Sequence, residues 1–185
     1  MGLFDKLRRT PMCRCKVCGK EIPQAEAKLD GGDPHCAGCY RKLQEDRAPA
    51  SVREIREEFK NYKIRYSFRA GEGWWEIRVP IAVKGVSDLT ASYIVQQGRS
   101  DIVHLRIDNI VTVHGDKRSS VIELLQRLQG VFPYLRFSLD RNGRVWADYT
   151  FPPVSQGQGD LAVDVQLTLD QLVPQMVDAL ENYRV

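Results

Sequence analysis

After Cys39 this 185-residue chain has no further cysteine, so no disulfide can staple its larger part. No stretch approaches the roughly 18 consecutive apolar residues of a membrane-spanning helix. The opening residues, MGLFDKLRRTPM, show neither the apolar run nor the small-residue cleavage site of a secretion signal. Gly2 invites comparison with a myristoylation signal, but Lys6 stands where that signal has Ser or Thr. A cytoplasmic protein with no membrane contact is expected. Gly-x-Ser-x-Gly, a phosphate loop and His-Glu-x-x-His are all missing, and QGQGD near residue 158 has only the composition of a flexible loop. The expectation is a protein that is not an enzyme.

A strong charge excess is also lacking. The chain carries 27 Lys and Arg against 24 Asp and Glu, a net of +3. The excess lies in the first 50 residues, and four thiolates around one divalent cation there would lower it by about two. A nucleic-acid binder usually shows a clustered basic face. Arg8, Arg9, Arg14, Lys16 and Lys20, with Arg41 and Lys42, are the best candidates for one. Nucleic acid is therefore the second choice of partner.

What is present is a cysteine pattern. Cys15-x2-Cys18 and Cys36-x2-Cys39 are two close pairs with a gap between them suited to one four-thiolate zinc site. Zinc takes four tetrahedral ligands, and each Cys-x2-Cys turn offers two sulfurs on one side of the metal. Cys13 is only two residues from Cys15, fits that turn poorly and reads as the spare. His35 could replace Cys36, leaving an alternative ligand set. A disulfide fits a reducing compartment badly. A reversible redox switch finds its best argument in Cys13.

Gly19 lets the chain fold back after the first pair, turn signals at DGGDP suggest a hairpin, and CAGCYRKLQED opens an amphipathic helix at the second pair. Free N–H groups at that helix start favour thiolate charge. Knuckle, hairpin and ligands at a helix start resemble a treble-clef zinc finger over residues 13–46. The zinc-binding module of the bacterial unfoldase ClpX and the first half of a LIM domain look similar. So short a segment has too few large apolar residues for its own core. One structural Zn²⁺ would supply folding energy on the order of 10 kcal/mol.

RAPAS (47–51) reads as a linker between a domain at 1–46 and a second at 51–185. Ser51 and Glu54 form a capping box, followed by Val52, Ile55, Phe59 and Tyr62 at helical spacing. Strands follow. Ile64, Tyr66 and Phe68 alternate, GEG (71–73) turns, and Trp75, Ile77, Val79 and Ile81 alternate again. Residues 90–97 and 101–113 read as further strands, the latter with Val103, Leu105 and Ile107 inward. One apolar and one polar face predict antiparallel strands covered on one side. A second capping box, Ser120 to Glu123, opens a helix with Val121, Leu124, Leu125 and Leu128 on its stripe and Gly130 as its stop. YLRFSLD and RVWADYTF around Asn142-Gly143 read as a hairpin. PPVSQGQGD (152–160) reads as a loop, LAVDVQL (161–167) as extended, and a final helix is expected from Thr168, with Leu172, Met176, Leu180 and Tyr183 on its stripe and Pro174 near its start. The class is α+β, an antiparallel sheet with flanking helices, preceded by the small finger.

Residues 51–185 resemble the YbjN-type domain, whose fold looks like that of type III secretion chaperones. The resemblance is carried by Phe137, Leu139, Asp140, Gly143 and Val145 in the hairpin, by the Leu-rich helix before it and by LDQLVPQMVDALENYR at the end. It implies a secretion-chaperone-like sheet, a role in protein–protein interaction or chaperoning, often as a homodimer, and no catalytic residue to carry over.

Two further features bear on partners. His104 and His114 share the polar face of one strand with Arg106 and Asp108, which reads as a solvated surface. Trp75 reads as core and Trp74 points the other way, either beneath a covering helix or as a partner contact. The leading expectation is a bacterial-type, non-enzymatic interaction module with a structural zinc finger. The alternatives are a zinc-finger nucleic-acid-binding regulator with a dimerisation domain and a thiol-based redox sensor.

Overall fold

The computed structural model describes residues 11–86, 89–99, 102–131, 135–153 and 157–184. Gly2, Lys6, Arg8, Arg9 and the start of the expected hairpin at Tyr134 lie outside the described residues. The chain divides into two compact units. The first runs to Ala48 and includes Ala70–Glu72; the second holds Pro49–Arg69 and Gly73–Val185.

The first unit contains two short hairpins and a helix. β1 (Met12–Arg14) pairs antiparallel with β2 (Glu21–Pro23), and β3 (Lys28–Asp30) with β4 (Asp33–His35). Gly31 and Gly32 turn the second hairpin at φ 58° and 91°. A two-residue turn of that hand needs positive φ at both positions, which glycine adopts without steric cost. α1 (Ala37–Asp46) follows, with Cys36 as its N-cap. The order is knuckle, hairpin, helix, as the spacing predicts. Arg47, expected in a free linker, instead grips Asp30 through two hydrogen bonds of 2.6 and 2.9 Å. Together they pull the Asp30 carboxyl below its usual range.

The second unit is α+β. α2 (Ala50–Asn61) leads into β5 (Ser67–Gly71), β6 (Trp74–Pro80), β7 (Thr90–Gln96) and β8 (His104–Thr112). α3 (Arg118–Val131), β9 (Arg136–Leu139), β10 (Arg144–Thr150) and α4 (Gln158–Leu180) complete it. The six strands form one sheet in the order β5-β6-β7-β8-β10-β9, and β6-β7, β7-β8, β8-β10 and β10-β9 pair antiparallel.

Alternation decides which face is buried. Trp75, Ile77, Val79, Ala91, Tyr93, Val95, Leu105 and Ile107 point to one side and are nearly inaccessible. Phe59 of α2 meets Tyr93 edge-on at 5.3 Å, and Phe151 meets Tyr93 at 6.0 Å from another side. Edge-to-face pairs of this kind add to plain area burial. α4 lies over the same residue, since the Tyr93 hydroxyl donates to Gln166 Oε1 at 2.9 Å.

Several expectations need correction. Ser51 is not an N-cap: α2 begins at Ala50 behind Pro49, whose fixed φ suits a helix entry, and Ser51 is buried in the first turn. Ser120 is not one either, because a 3₁₀ turn at Gly115–Lys117 feeds directly into α3 at Arg118. Gly130 lies within α3 and does not stop it. Ile64 and Tyr66 precede β5; their side chains are half-buried, and Tyr66 packs against Phe59 with ring centres 6.0 Å apart. The strand expected over 101–113 is shorter, His104–Thr112, and not uniform. Ile107 pairs with Ala147 and Val111 with Val145, so Asp108, Asn109 and Ile110 stand opposite Trp146 alone. Asn109 takes φ 52° to make this bulge, and Ile110 is buried beside Val111.

The largest correction concerns the end of the chain. LAVDVQL is not extended, and QGQGD is not merely a loop. LAVDVQL and the last three residues of QGQGD, Gln158 to Asp160, belong to α4, a 23-residue helix with Pro174 well inside it. Ala162, Val163, Gln166, Leu169, Leu172, Val173 and Met176 are buried at spacings of three and four, the period of one helix face. Tyr183 falls just beyond, in a 3₁₀ turn, where its carbonyl accepts the His114 N–H at 3.0 Å.

Candidate metal centre

Cys15 and Cys18 sit in the turn between β1 and β2. The Cys15 N–H donates to the Lys20 carbonyl at 2.9 Å and the Gly19 N–H returns to the Cys15 carbonyl at 2.9 Å. Gly19 closes this turn at φ 71° with open space around it. The Lys16 N–H donates to the Pro34 carbonyl at 2.8 Å, tying the knuckle to β4. β4 delivers Cys36, and the first turn of α1 delivers Cys39, whose N–H points at the Cys36 sulfur over 3.5 Å. Gly19 was legible in the sequence; the brace through Pro34 had no signal there.

The four sulfurs, of Cys15, Cys18, Cys36 and Cys39, all lie within 4.8 Å of one another. Cys18 and Cys36 are 3.9 Å apart, sulfur to sulfur. A disulfide would need about 2.05 Å, and all five cysteines are free thiols. A tetrahedron with metal–sulfur bonds of about 2.3 Å has edges of about 3.8 Å. The cluster has the size of a metal's ligand shell, and these residues could hold a metal ion.

The electrostatics agree. Amide N–H groups of Cys18 and Cys36 bring the Cys15 thiol down to about 5. The Cys39 amide lowers Cys36. The sulfurs of Cys36 and Cys18 push Cys39 up to about 12. Backbone dipoles favour negative charge here, but four thiolates repel one another, and a cation among them removes that conflict.

Cys13 and His35 stand outside the cluster. Cys13 pairs opposite Ile22 in the first hairpin, its sulfur 3.8 Å from the Ile22 carbonyl. His35 is buried in β4 opposite Lys28, and its Nδ1 has no hydrogen-bond partner among the described residues. Of the basic residues, Arg14 faces Glu21 at 3.3 Å and Lys16 faces Asp33 at 3.8 Å.

In the second unit His104 Nδ1 lies 3.1 Å from Thr150 Oγ1, and Arg106 pairs with Asp108 at 2.6 Å. His114 lies beyond β8. Neither histidine joins a group of potential metal ligands among the described residues. Trp75 is core at 5 % exposed, whereas Trp74 is 39 % exposed beside a shallow groove with Glu76, Ile94 and Gln96. Among the described residues no helix is long and apolar enough to cross a membrane. No family model matches the chain, and no curated protein matches it.

Proposed function

We propose that the protein is a non-enzymatic interaction module whose first unit is folded around one structural Zn²⁺. The observation that carries the metal reading is the packing of four sulfurs within 4.8 Å, with one pair at the edge length of a zinc tetrathiolate. Four protein ligands fill a tetrahedral shell and leave no position for a reacting group, which is the arrangement of a structural and not a catalytic zinc. Soft thiolates in that geometry favour zinc over hard cations. Free thiols fit a reducing compartment, hence the cytoplasm.

The interaction reading rests on the second unit. Its sheet keeps one face outside the core, where Trp74 is partly exposed at a groove. The likeness to a YbjN-type, secretion-chaperone-like domain points the same way: Phe137, Leu139, Asp140, Gly143 and Val145 lie on the β9–β10 hairpin and its turn. Carboxylates opposite Arg14 and Lys16 weigh against nucleic acid as the partner.

Metal analysis of the purified chain should give one zinc per protein. Cobalt substituted for it should give the charge-transfer bands of tetrahedral thiolate coordination. Sedimentation over a range of concentrations should show self-association that weakens in Trp74→Ala. A chain without bound metal, or a strict monomer indifferent to Trp74→Ala in every partner assay, overturns the corresponding half of the proposal.

A further inference from the structure

A groove of about 540 Å³ in the second unit is lined by Arg65, Tyr66, Ser67, Arg78, Pro80 and Thr90. Two guanidinium groups reach it, and neither has a carboxylate within hydrogen-bonding distance among the described residues. Arg65 is exposed and precedes β5, one of the two edge strands. Arg78 projects from β6; its nearest acid is Glu76, with Nε to Oε1 at 3.8 Å, too long for a hydrogen bond. The Arg78 Nε is also buried and finds no acceptor. The side chain as a whole is about a third exposed, so the outer N–H groups of the guanidinium, not the enclosed Nε, are the donors that an anion in the groove would meet.

The rest of that sheet face is differently arranged. Across the strands Arg78 stands opposite Ser92, and Ser92 opposite Arg106. Arg106 is already held by Asp108 at 2.6 Å and lies over the Trp146 ring at 5.2 Å. Asp148 pairs with Arg106 on the next strand. Between β6 and β8 on this face, Arg78 is thus the arginine without a hydrogen-bonded carboxylate, its ion pair with Glu76 being the longer one, while Arg69 and Arg136 stand on the same face at the two edges of the sheet. A nucleic acid presents a continuous run of phosphates and needs many cationic contacts, and Asp108 and Asp148, further along the face, would repel such a run. A single carboxylate needs only a guanidinium fork, which Arg supplies in a bidentate geometry.

We propose that this groove receives an acidic side chain, Asp or Glu, from a segment of a partner polypeptide. The proposal deepens the interaction reading above and rests on it: it names the chemistry of the partner. Ser67 lines the groove from the edge strand, so a segment can enter from outside the sheet.

The test uses the full-length, zinc-loaded protein and a fluorescein-labelled peptide of Glu, Gly and Ser, with a matched peptide carrying Gln for Glu, read by anisotropy at low salt. The Glu peptide should bind saturably and the Gln peptide should not. Arg65→Gln and Arg78→Gln should each weaken binding by about tenfold, while Arg127→Gln on α3 should leave it unchanged. Arg65→Glu should lose the Glu peptide and gain affinity for a Lys version, which a merely misfolded variant would not do. Equal binding of Glu and Gln peptides, or binding indifferent to both arginines, overturns the proposal. So does a single-stranded oligonucleotide that binds more tightly through the same two arginines, or inorganic phosphate that occupies the groove in preference to the peptide. If Trp74-dependent self-association is found but the Glu peptide never binds, the groove proposal falls and the interaction reading stands.

Discussion

The carboxylate of Glu54 accepts the backbone N–H of Gln158 at 3.2 Å, across 104 positions of sequence. Glu54 sits in α2, and Gln158 is the first residue of α4. The N-cap of α4 is Gly157 at φ 88°, which has no side chain to offer. The free N–H groups of a helix start need acceptors and favour negative charge. One helix therefore caps another, and α2 and α4 are locked at the point where the second begins.

Removing that cap should destabilise the second unit. Glu54→Ala is expected to cost about 1 kcal/mol, in the usual range for a lost N-cap. Glu54→Gln keeps an acceptor oxygen and should cost less. Urea unfolding followed by far-ultraviolet circular dichroism checks both; equal losses would mean that the negative charge, and not bulk or a neutral acceptor, holds the junction.

Close approach at the same junction gives a sharper prediction. A Cβ on Gly159 would stand 2.7 Å from Glu58 Cγ and 2.8 Å from the Glu54 carbonyl oxygen. The Glu58 side chain can swing away, but the Glu54 backbone cannot. Gly159→Ala should cost about 1–3 kcal/mol, as overpacking does. Gly130, within α3, has nothing within 4 Å of such a Cβ. Gly130→Ala should stabilise by about 0.5–1 kcal/mol through helix propensity alone. Opposite signs for two Gly→Ala changes in helices would be read in one denaturation series.

These contacts explain what the sequence could and could not reveal. The cysteine pairs were legible because the Cys-x2-Cys turn is set by local geometry. The alternation of Trp75, Ile77 and Val79 was legible because one sheet face is core. The hairpin was legible from Asn142-Gly143, where Gly143 takes φ 79° and the Asp140 carboxylate accepts the N–H groups of Asn142 and Arg144. The start of α4 was not. Leu161, Val163, Val165 and Leu167 alternate like a strand, and the helix leaves Leu167 46 % exposed. What selects helix is the buried Gln166, which accepts from the distant Tyr93 hydroxyl, and the fit of Gly159 against α2. Glu54 misled for the same reason: its partner lies on another element. Arg65 and Arg78 carry no motif, and only the fold brings them to one groove.

Metal removal should act on the first unit alone. A strong chelator should abolish the structure of residues 12–46 and leave the sheet domain with a cooperative melt. Cys15→Ser should lose the metal and Cys13→Ser should retain it, because the Cys13 sulfur points to the Ile22 carbonyl. Protons compete with the metal for thiolates, so affinity should fall as pH falls. Metal titrations at several pH values with each variant check this. Loss of metal in Cys13→Ser equal to that in Cys15→Ser would refute the ligand set.

Asp170 offers a test of the core by pH. Its carboxyl is pushed above the ordinary range by burial, and the Gln166 Nε2, donating at 2.9 Å, only partly offsets this. Gln166 in turn receives the Tyr93 hydroxyl, so a polar chain runs from the sheet core to α4. The folded state thus holds the Asp170 proton more tightly than the unfolded chain does. For an acid with a raised folded-state pKa, the favourable contribution is complete below the unfolded value of about 3.9. It is lost as pH rises through the higher folded value, so at neutral pH the charged form destabilises. Asp170→Asn keeps an oxygen for Gln166 and removes the charge. It should raise the melting temperature at pH 7 and lose that advantage progressively as the pH is lowered towards 4. Melting curves of wild type and variant across that range decide it. A variant less stable at pH 7 would show that the carboxylate is favourable where it sits, and that the Gln166 hydrogen bond outweighs the cost of burial.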